Sequence, residues 1–251
     1  MNLIILEGSD HAGAGRYVLT DSRADHIRVV LKAEPGDSVA VGLLNGPIAR
    51  GRIETVSVEA VSLVCEGLTP MHDAFPIDLI LAMPRPKALK RVLVTIASMA
   101  VRSVHLVNAA RVEKSYFDSP VLEPEIMRSH LIEGLSQGKH TQLPNVTVHK
   151  LFRPFVEDTM PQLATTEGGP GRRLLCHPGA KHRATDLALD PLQPVRLAIG
   201  PEGGWVPFEV ELLEAAGFES FELGPWVLRV EAAVAVALGQ ISMLVRGAGP
   251  G

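Results

Sequence analysis

Cysteine is nearly missing from this chain: Cys65 and Cys176 are the only two in 251 residues. Two thiols so far apart build neither a disulfide framework nor a zinc site. They read as buried free thiols in a reducing, cytoplasmic setting. Aromatic residues are also scarce, at 4% against 46% hydrophobic residues, so the core must be largely aliphatic. No run of 18 or more apolar residues occurs, so no transmembrane helix and no membrane role is expected. The opening MNLIILEGSD has neither a basic leader nor a small-residue cleavage site, which excludes a secretory signal. A basic excess is absent as well. Lysine and arginine number 24 against 28 acidic residues, a net charge of -4, whereas an RNA binder typically shows the opposite balance. Basic residues do cluster locally, at Arg85, Lys87, Lys90 and Arg91, at Arg172 and Arg173, and at Lys181, His182 and Arg183. Each cluster alone reads as a solvated face, and only convergence on one surface would make it a phosphate site. No Walker lysine follows a glycine-rich turn and no carboxylate cluster is visible, which argues against a nucleotide hydrolase and leaves no metal expected.

What is present suggests two units. Residues 1–70 are β-rich, with branched apolar segments at 39–43, 48–53 and 56–65 and turn chemistry at Pro35-Gly36-Asp37 and Asn45-Gly46-Pro47. Residues 21–32 read as one short helix with Ile27, Val30 and Leu31 on a face. A small barrel with one helix fits this pattern. Residues 67–76 read as a connection, which places a second unit at 76–246. There, expected strands at 77–83, 104–107, 146–149, 173–176, 197–199 and 218–223 alternate with expected helices at 88–101, 124–137, 161–172, from Pro207, and at 231–245. Such alternation implies an α/β fold with a mostly parallel sheet covered on both faces. Residues 247–251 are expected to be disordered.

Residues 199–231, IGPEGGWVPFEVELLEAAGFESFELGPWVLRVE, carry most of the functional information. A buried strand ends in Gly200, Gly203 and Gly204, which permit turns and close approach that a Cβ would obstruct. Pro207 suits the first turn of a helix, with Glu209 and Glu211 near its positive end and Gly217 as its stop. A second strand ends in Gly224-Pro225. Two glycine turns at the carboxyl ends of neighbouring strands form a crevice of the kind in which α/β proteins bind ligands. Arg229 and Glu231 bracket the start of an apolar, alanine-rich helix, and charges in such a place call for a partner or a ligand. A structural salt bridge or helix cap is the plainer reading of that pair.

IGPEGG, then LG, then VLRVE leading into the alanine-rich helix resembles the S-adenosylmethionine-dependent SPOUT methyltransferases. The closest resemblance is to the group that methylates N3 of a uridine in small-subunit ribosomal RNA. It covers nearly the whole chain and is most specific in the last third. It implies a C-terminal α/β domain with a trefoil knot at 76–246, a PUA-like β-barrel at 1–70, S-adenosylmethionine as cofactor, a homodimer, and ribosomal RNA or the small ribosomal subunit as partner. It also implies three cofactor loops: Leu175, His177 and Pro178; Ile199, Gly200, Pro201, Glu202, Gly203 and Gly204; and Leu223, Gly224, Val227, Leu228, Arg229 and Ala233. Main-chain groups would read the adenine, with Leu175, Ile199, Leu223, Val227 and Leu228 as apolar walls.

By the same resemblance Arg229 would stabilise negative charge developing on the uracil, and Glu231 would cap the helix or orient Arg229. Glu202 is a weaker candidate base. Arg28, Arg85, Lys87, Lys90, Gln137 and His140 would face RNA. The chain also departs from the family. Arg-Thr-Glu-Thr is here Arg229-Val230-Glu231-Ala232, Phe-Ser is Trp205-Val206, and Glu-Gln-x-x-Arg with a nearby Asn is Ser136 to Thr141, keeping only Gln137. The substrate side has therefore drifted further than the cofactor side. Two alternatives stay open on that ground: a non-catalytic RNA-binding or ribosome-assembly factor of the same fold, and a methyltransferase acting on another RNA position.

Overall fold

The computed structural model describes residues 2–71, 75–166, 169 and 171–247. Its first 69 residues form a five-stranded sheet from β1 (Ile4–Leu6), β2 (Arg16–Leu19), β3 (Ser38–Leu43), β4 (Ile48–Val56) and β5 (Val61–Thr69), in the order β1-β3-β4-β5-β2. Alternate residues of these strands point to one side, so Leu19, Val41, Ile53, Val61 and Leu63 meet in a single buried cluster. Helix α1 (Ser22–Asp25) closes that cluster and continues as a π turn over His26–Val30. Asp21 caps it by accepting the Arg23 N–H at 2.9 Å. The expected helical face is corrected here. Ala24 and Ile27 are buried and Leu31 packs half-buried against the same cluster, but Val30 is 65% exposed, because the wider π turn rotates it off the α-helical stripe. The apolar segment expected from residue 56 also divides, with Val56 ending β4 and residues 57–60 forming the turn.

The second sheet contains β6 (Phe75–Ala82), β7 (Val101–Val107), β8 (Asn145–His149), β9 (Arg172–Cys176), β10 (His182–Arg183), β11 (Val195–Ile199) and β12 (Glu219–Glu222). Its order is β10-β12-β9-β11-β6-β7-β8, and every pairing is parallel. The helices are α2 (Pro86–Ser98), α3 (Pro124–Gly138), α4 (Phe152–Pro154), α5 (Met160–Thr166), α6 (Pro207–Ala215) and α7 (Val230–Gly247). Successive strand residues serve opposite faces. Leu79, Leu81, Leu197 and Ile199 pack with Leu89, Val92, Leu93, Val234 and Leu238 of α2 and α7. Ile80, Ala82, Ala198 and Leu175 pack with Phe155, Met160 and Leu213 on the other side. This is the mixed α/β architecture, with a parallel sheet covered on both faces, that the alternation implied.

Several boundaries move. The connection expected at 67–76 is shorter, since β5 runs to Thr69 and β6 begins at Phe75. Val101 starts a strand instead of ending a helix, after Ala100 turns the chain at φ 57°. The helix expected at 161–172 begins earlier, running from α4 through a π turn at Phe155–Thr159 into α5, and Arg172 opens a strand. Gly247 is the last residue of α7, and 248–251 lie outside the described residues.

Helix α3 approaches α2 unusually closely. A Cβ on Gly134 would sit 2.3 Å from the Val94 carbonyl oxygen, and one on Gly138 2.2 Å from that of Ser98. This brings the end of α3 against the first sheet. The Leu3 N–H reaches the Ser136 carbonyl at 3.0 Å, the Ser136 hydroxyl donates to the Leu3 carbonyl at 2.7 Å, and the Asn45 N–H reaches the Thr141 carbonyl at 2.7 Å.

The amino-terminal half of the parallel sheet buries charge. Asp78, 1% exposed, accepts Arg102 at 2.6 and 2.9 Å and the Ser103 hydroxyl at 2.7 Å, with the equally buried Arg196 3.9 Å away. No described helix is long and apolar enough to cross a membrane.

Candidate cofactor site

Three neighbouring strands, β12, β9 and β11, end on the same side of the sheet, and the loops leaving them enclose a cavity. From the loop after β9 come His177 and Pro178; from that after β11, Ile199, Gly200, Pro201, Glu202 and Gly204; from that after β12, Leu223, Gly224, Val227 and Leu228, with Ala233 from α7. The loops are fixed by main-chain bonds. The His177 N–H donates to the Phe221 carbonyl at 3.0 Å, and the Gly204 N–H to the Pro201 carbonyl at 2.8 Å. Gln240 of α7 donates to the Leu223 carbonyl at 2.9 Å. Gly204 adopts φ +73°, in the left-handed region that favours glycine.

Three expected cavity residues, Leu175, Gly203 and Arg229, are not part of the lining. Leu175 points to the opposite face of the sheet, among Phe155 and Leu213. Its neighbour Cys176 is in register with Ile199 and takes the cavity side, as the two-residue period of a strand requires. Gly203 faces away from the cavity, and a Cβ there would meet Arg111 at 2.9 Å. Val227 is 98% exposed, so it belongs to the rim and is no buried wall. Trp205, Glu222, Trp226 and Val230 complete the lining and were not picked out by sequence. In the sequence Trp205 stands out only as a departure from the family's Phe, although an aromatic directly after a glycine turn is a usable signal.

The cavity offers polar atoms with nothing to bond. His177 Nδ1 and Trp205 Nε1 are both buried on its wall without a hydrogen-bond partner in the described structure. Buried polar groups ordinarily have a partner in protein, water or a ligand, and these two face the cavity. Burial pushes the Cys176 thiol far up, so it stays a neutral wall and not a nucleophile.

Arg229 is exposed at the start of α7, and its side chain has no ion pair or hydrogen bond among the described residues. Glu231 does not orient it. That carboxylate pairs instead with Arg91 of α2 at 3.3 Å. Glu202 Oε1 accepts the Arg85 backbone N–H at 3.2 Å, at the entry to α2.

The basic clusters separate. Arg85, Lys87, Lys90 and Arg91 are exposed at the carboxyl end of β6, on the cavity's side. Arg172 and Arg173 begin β9 at the opposite end of the sheet, where Arg172 pairs with Glu219 and Arg173 with the Ala216 carbonyl. Lys181, His182 and Arg183 are exposed at the edge strand β10.

Three of the expected RNA contacts are engaged or hidden. Arg28 holds the Ser57 and Val58 carbonyls and Asp25. His140 is 8% exposed and accepts the Gln142 N–H through Nδ1 at 3.2 Å. Gln137 is exposed but donates to Glu133 at 3.1 Å. A separate hollow of about 490 Å³ between β1 and α3 carries Glu7, Asp21, Glu125 and Glu133 beside Arg23 and Arg128, a balance that does not suit an anion. No group of three metal-binding side chains occurs among the described residues.

Sheet, loops and cavity define a parallel α/β protein with a cavity between backbone turns at the strands' carboxyl ends. Residues 71–242 match the family model of the RNA methyltransferase domain. The chain is 33% identical, over 94% of its length and 89% of the relative's, to ribosomal RNA small subunit methyltransferase E of Treponema pallidum. It is 27% identical to the Synechocystis protein of that name, over 90% of this chain and 73% of that one. Its fold matches a Neisseria gonorrhoeae ribosomal RNA small subunit methyltransferase E solved with S-adenosyl methionine, at a TM-score of 0.76, 17% identity, and 97% and 98% coverage. It also matches a Legionella pneumophila methyltransferase solved with that cofactor, at a TM-score of 0.75, 22% identity, and 99% coverage of both chains. The chain belongs to the RNA methyltransferase family, in its small-subunit ribosomal RNA, SPOUT branch.

Proposed function

We propose that this protein is an S-adenosylmethionine-dependent methyltransferase acting on N3 of a uridine in small-subunit ribosomal RNA. One observation carries the cofactor half: the cavity of three loops whose wall holds His177 Nδ1 and Trp205 Nε1 without partners. The substrate half rests on kinship with the methyltransferase E proteins. Bound S-adenosylmethionine supplies an already activated methyl group. The chain's own task is to align the nucleophile with that group and keep water out. Ile199, Leu223, Leu228 and Ala233 supply apolar contact, while Gly200 and Gly204 let main-chain groups approach the adenine and ribose. Methylation replaces the proton on N3, so negative charge builds on the uracil as that proton leaves. Arg229, exposed between the lining residues Leu228 and Val230 and without a side-chain partner among the described residues, would stabilise it. Glu231 acts on α2 through Arg91 rather than on the base.

The basic residues Arg85, Lys87 and Lys90, beside the same loops, hold the RNA backbone. Their position outweighs the chain's net charge of -4. Within the family reading, residues 1–70 are a PUA-like barrel that grips RNA by shape. Residues 76–246 are the knotted catalytic domain, and the enzyme acts in the cytoplasm as a homodimer. The exposed Trp226, Val227 and Met243 around α7 and its entry loop support such a pairing surface.

Purified protein incubated with methyl-labelled cofactor and small-subunit RNA should yield 3-methyluridine on nucleoside digestion. Label in another nucleoside would move the reaction elsewhere, and cofactor binding with no transfer to any such RNA would favour a non-catalytic factor.

A further inference from the structure

The glycine-rich turn at 200–206 has the cavity on one side and a second loop on the other. That loop, residues 108–112, leaves β7 and is itself tied down, with the Asn108 amide donating to the Lys150 carbonyl at 3.2 Å and the Asn108 N–H to the His149 carbonyl at 2.9 Å. Two contacts join it to the turn. Arg111 Nη1 donates to the Gly203 carbonyl, and the arginine's methylenes occupy the space where a Gly203 side chain would stand. Glu209, only 3% exposed, accepts the Ala110 N–H through Oε1 at 2.7 Å and the Val206 N–H through Oε2 at 2.9 Å.

The Val206 bond is ordinary capping of α6, the carboxylate of its third residue reaching back to the N–H of the cap residue. The Ala110 bond is not capping. It spends the second oxygen of a buried carboxylate on a different loop. Neither residue lines the cavity, so neither is placed to touch what the cavity holds.

We infer that Arg111 and Glu209 are positioning residues that clamp the turn from behind, so that its main-chain groups meet the cofactor already in place. The inference rests on the cavity being the cofactor site. A backbone-read ligand gains affinity when the reading atoms are held before it arrives, since the ordering cost is then not charged to binding.

Three variants test this: Arg111→Ala, Arg111→Lys and Glu209→Gln. The glutamine keeps the shape but turns one acceptor into a donor facing an N–H. Calorimetry with S-adenosylhomocysteine should show affinity about tenfold weaker in Arg111→Ala and Glu209→Gln. The KM for the methyl donor should rise in step while kcat at saturation stays within about threefold, and Arg111→Lys should recover most of the affinity. Undiminished affinity in both Arg111→Ala and Glu209→Gln would overturn the clamp. If Glu209→Gln does not fold, the exposed Arg111 carries the test alone.

Hydrogen exchange of the Gly204 and Val206 amides in the ligand-free protein separates the clamp from the cofactor reading. Faster exchange in Arg111→Ala supports the clamp even if the wild type binds no homologue of the cofactor, a result that would sink only the cofactor reading. Unchanged exchange overturns the clamp whatever the protein binds.

Discussion

Trp205 and Arg229 test the site most sharply, because each has a polar group with no partner among the described residues. Trp205 is packed as a core residue, 4% exposed and 5.5 Å from Phe152 between ring centroids, yet its Nε1 is unbonded on the cavity wall. Trp205→Phe keeps the ring packing and removes the donor. Affinity for S-adenosylhomocysteine should fall about fivefold, the worth of one hydrogen bond, while the melting temperature holds. Equal affinity would mean that the indole N–H faces no ligand. The Arg229 side chain has no partner among the described residues, so Arg229→Ala should abolish methyl transfer in single-turnover assays while cofactor affinity stays within about tenfold. Loss of both to the same degree would give Arg229 a structural role and contradict its assignment to the uracil. Gly203→Val, which the motif alone would offer as a cofactor-blocking variant, instead drives a branched side chain into Arg111, so it reports on the turn's support.

At the scale of elements, β7 and β8 contribute a buried polar cluster that has no place in the site. His105 Nδ1 lies 3.2 Å from His149 Nε2, the Thr147 hydroxyl is 2.8 and 3.0 Å from the two rings, and Phe155 packs on both. Burial, helped by the neighbouring imidazole, pushes His105 down to about 4, and burial lowers His149 too. A depressed histidine takes up its proton in the unfolded chain first. Stability should therefore be level above the ordinary histidine range near 6.5, decline as pH falls from there toward about 4, and level off below. Urea midpoints across that window should show a shallower decline in His105→Leu than in wild type; parallel curves would remove His105 as a cause.

None of this cluster was visible in the sequence, where residues 146–149 read only as a strand. Periodicity did reveal the strands of the parallel sheet other than the two-residue β10, and the helices that cover it, because their apolar stripes are what the core selects. It failed where geometry departs from the regular period: at the π turns after Asp25 and Pro154, and at Ala100, whose left-handed turn separates α2 from β7. The cavity was largely legible through its glycines and the family resemblance. Leu175 was misplaced because a list of apolar residues carries no facing, which only the register of Cys176 with Ile199 supplies.

Over the whole molecule, the contact between the two sheets explains a stretch that looked like a weakened substrate site. Ser136 and Thr141 stand where the family's RNA-facing segment would be, yet Thr141 is 1% exposed and its hydroxyl donates to the Gly46 carbonyl. Thr141→Val should cost about 1–2 kcal/mol in urea unfolding with KM for RNA unchanged. A raised KM at unchanged stability would return this segment to the substrate. The segment 136–141 thus serves the contact between the two sheets, and the exposed Arg85, Lys87 and Lys90, at the entry and first turns of α2, form a basic surface beside the Glu202 turn. Everything said of function converges on the cavity of three loops. The most direct measurement is calorimetry of wild type and Ala233→Leu with S-adenosylhomocysteine, since a larger side chain at Ala233 would fill the space that the three loops enclose. Binding at about one site per chain in wild type and none in folded Ala233→Leu is the expected result. No binding by folded wild type, or undiminished binding by the variant, would contradict it.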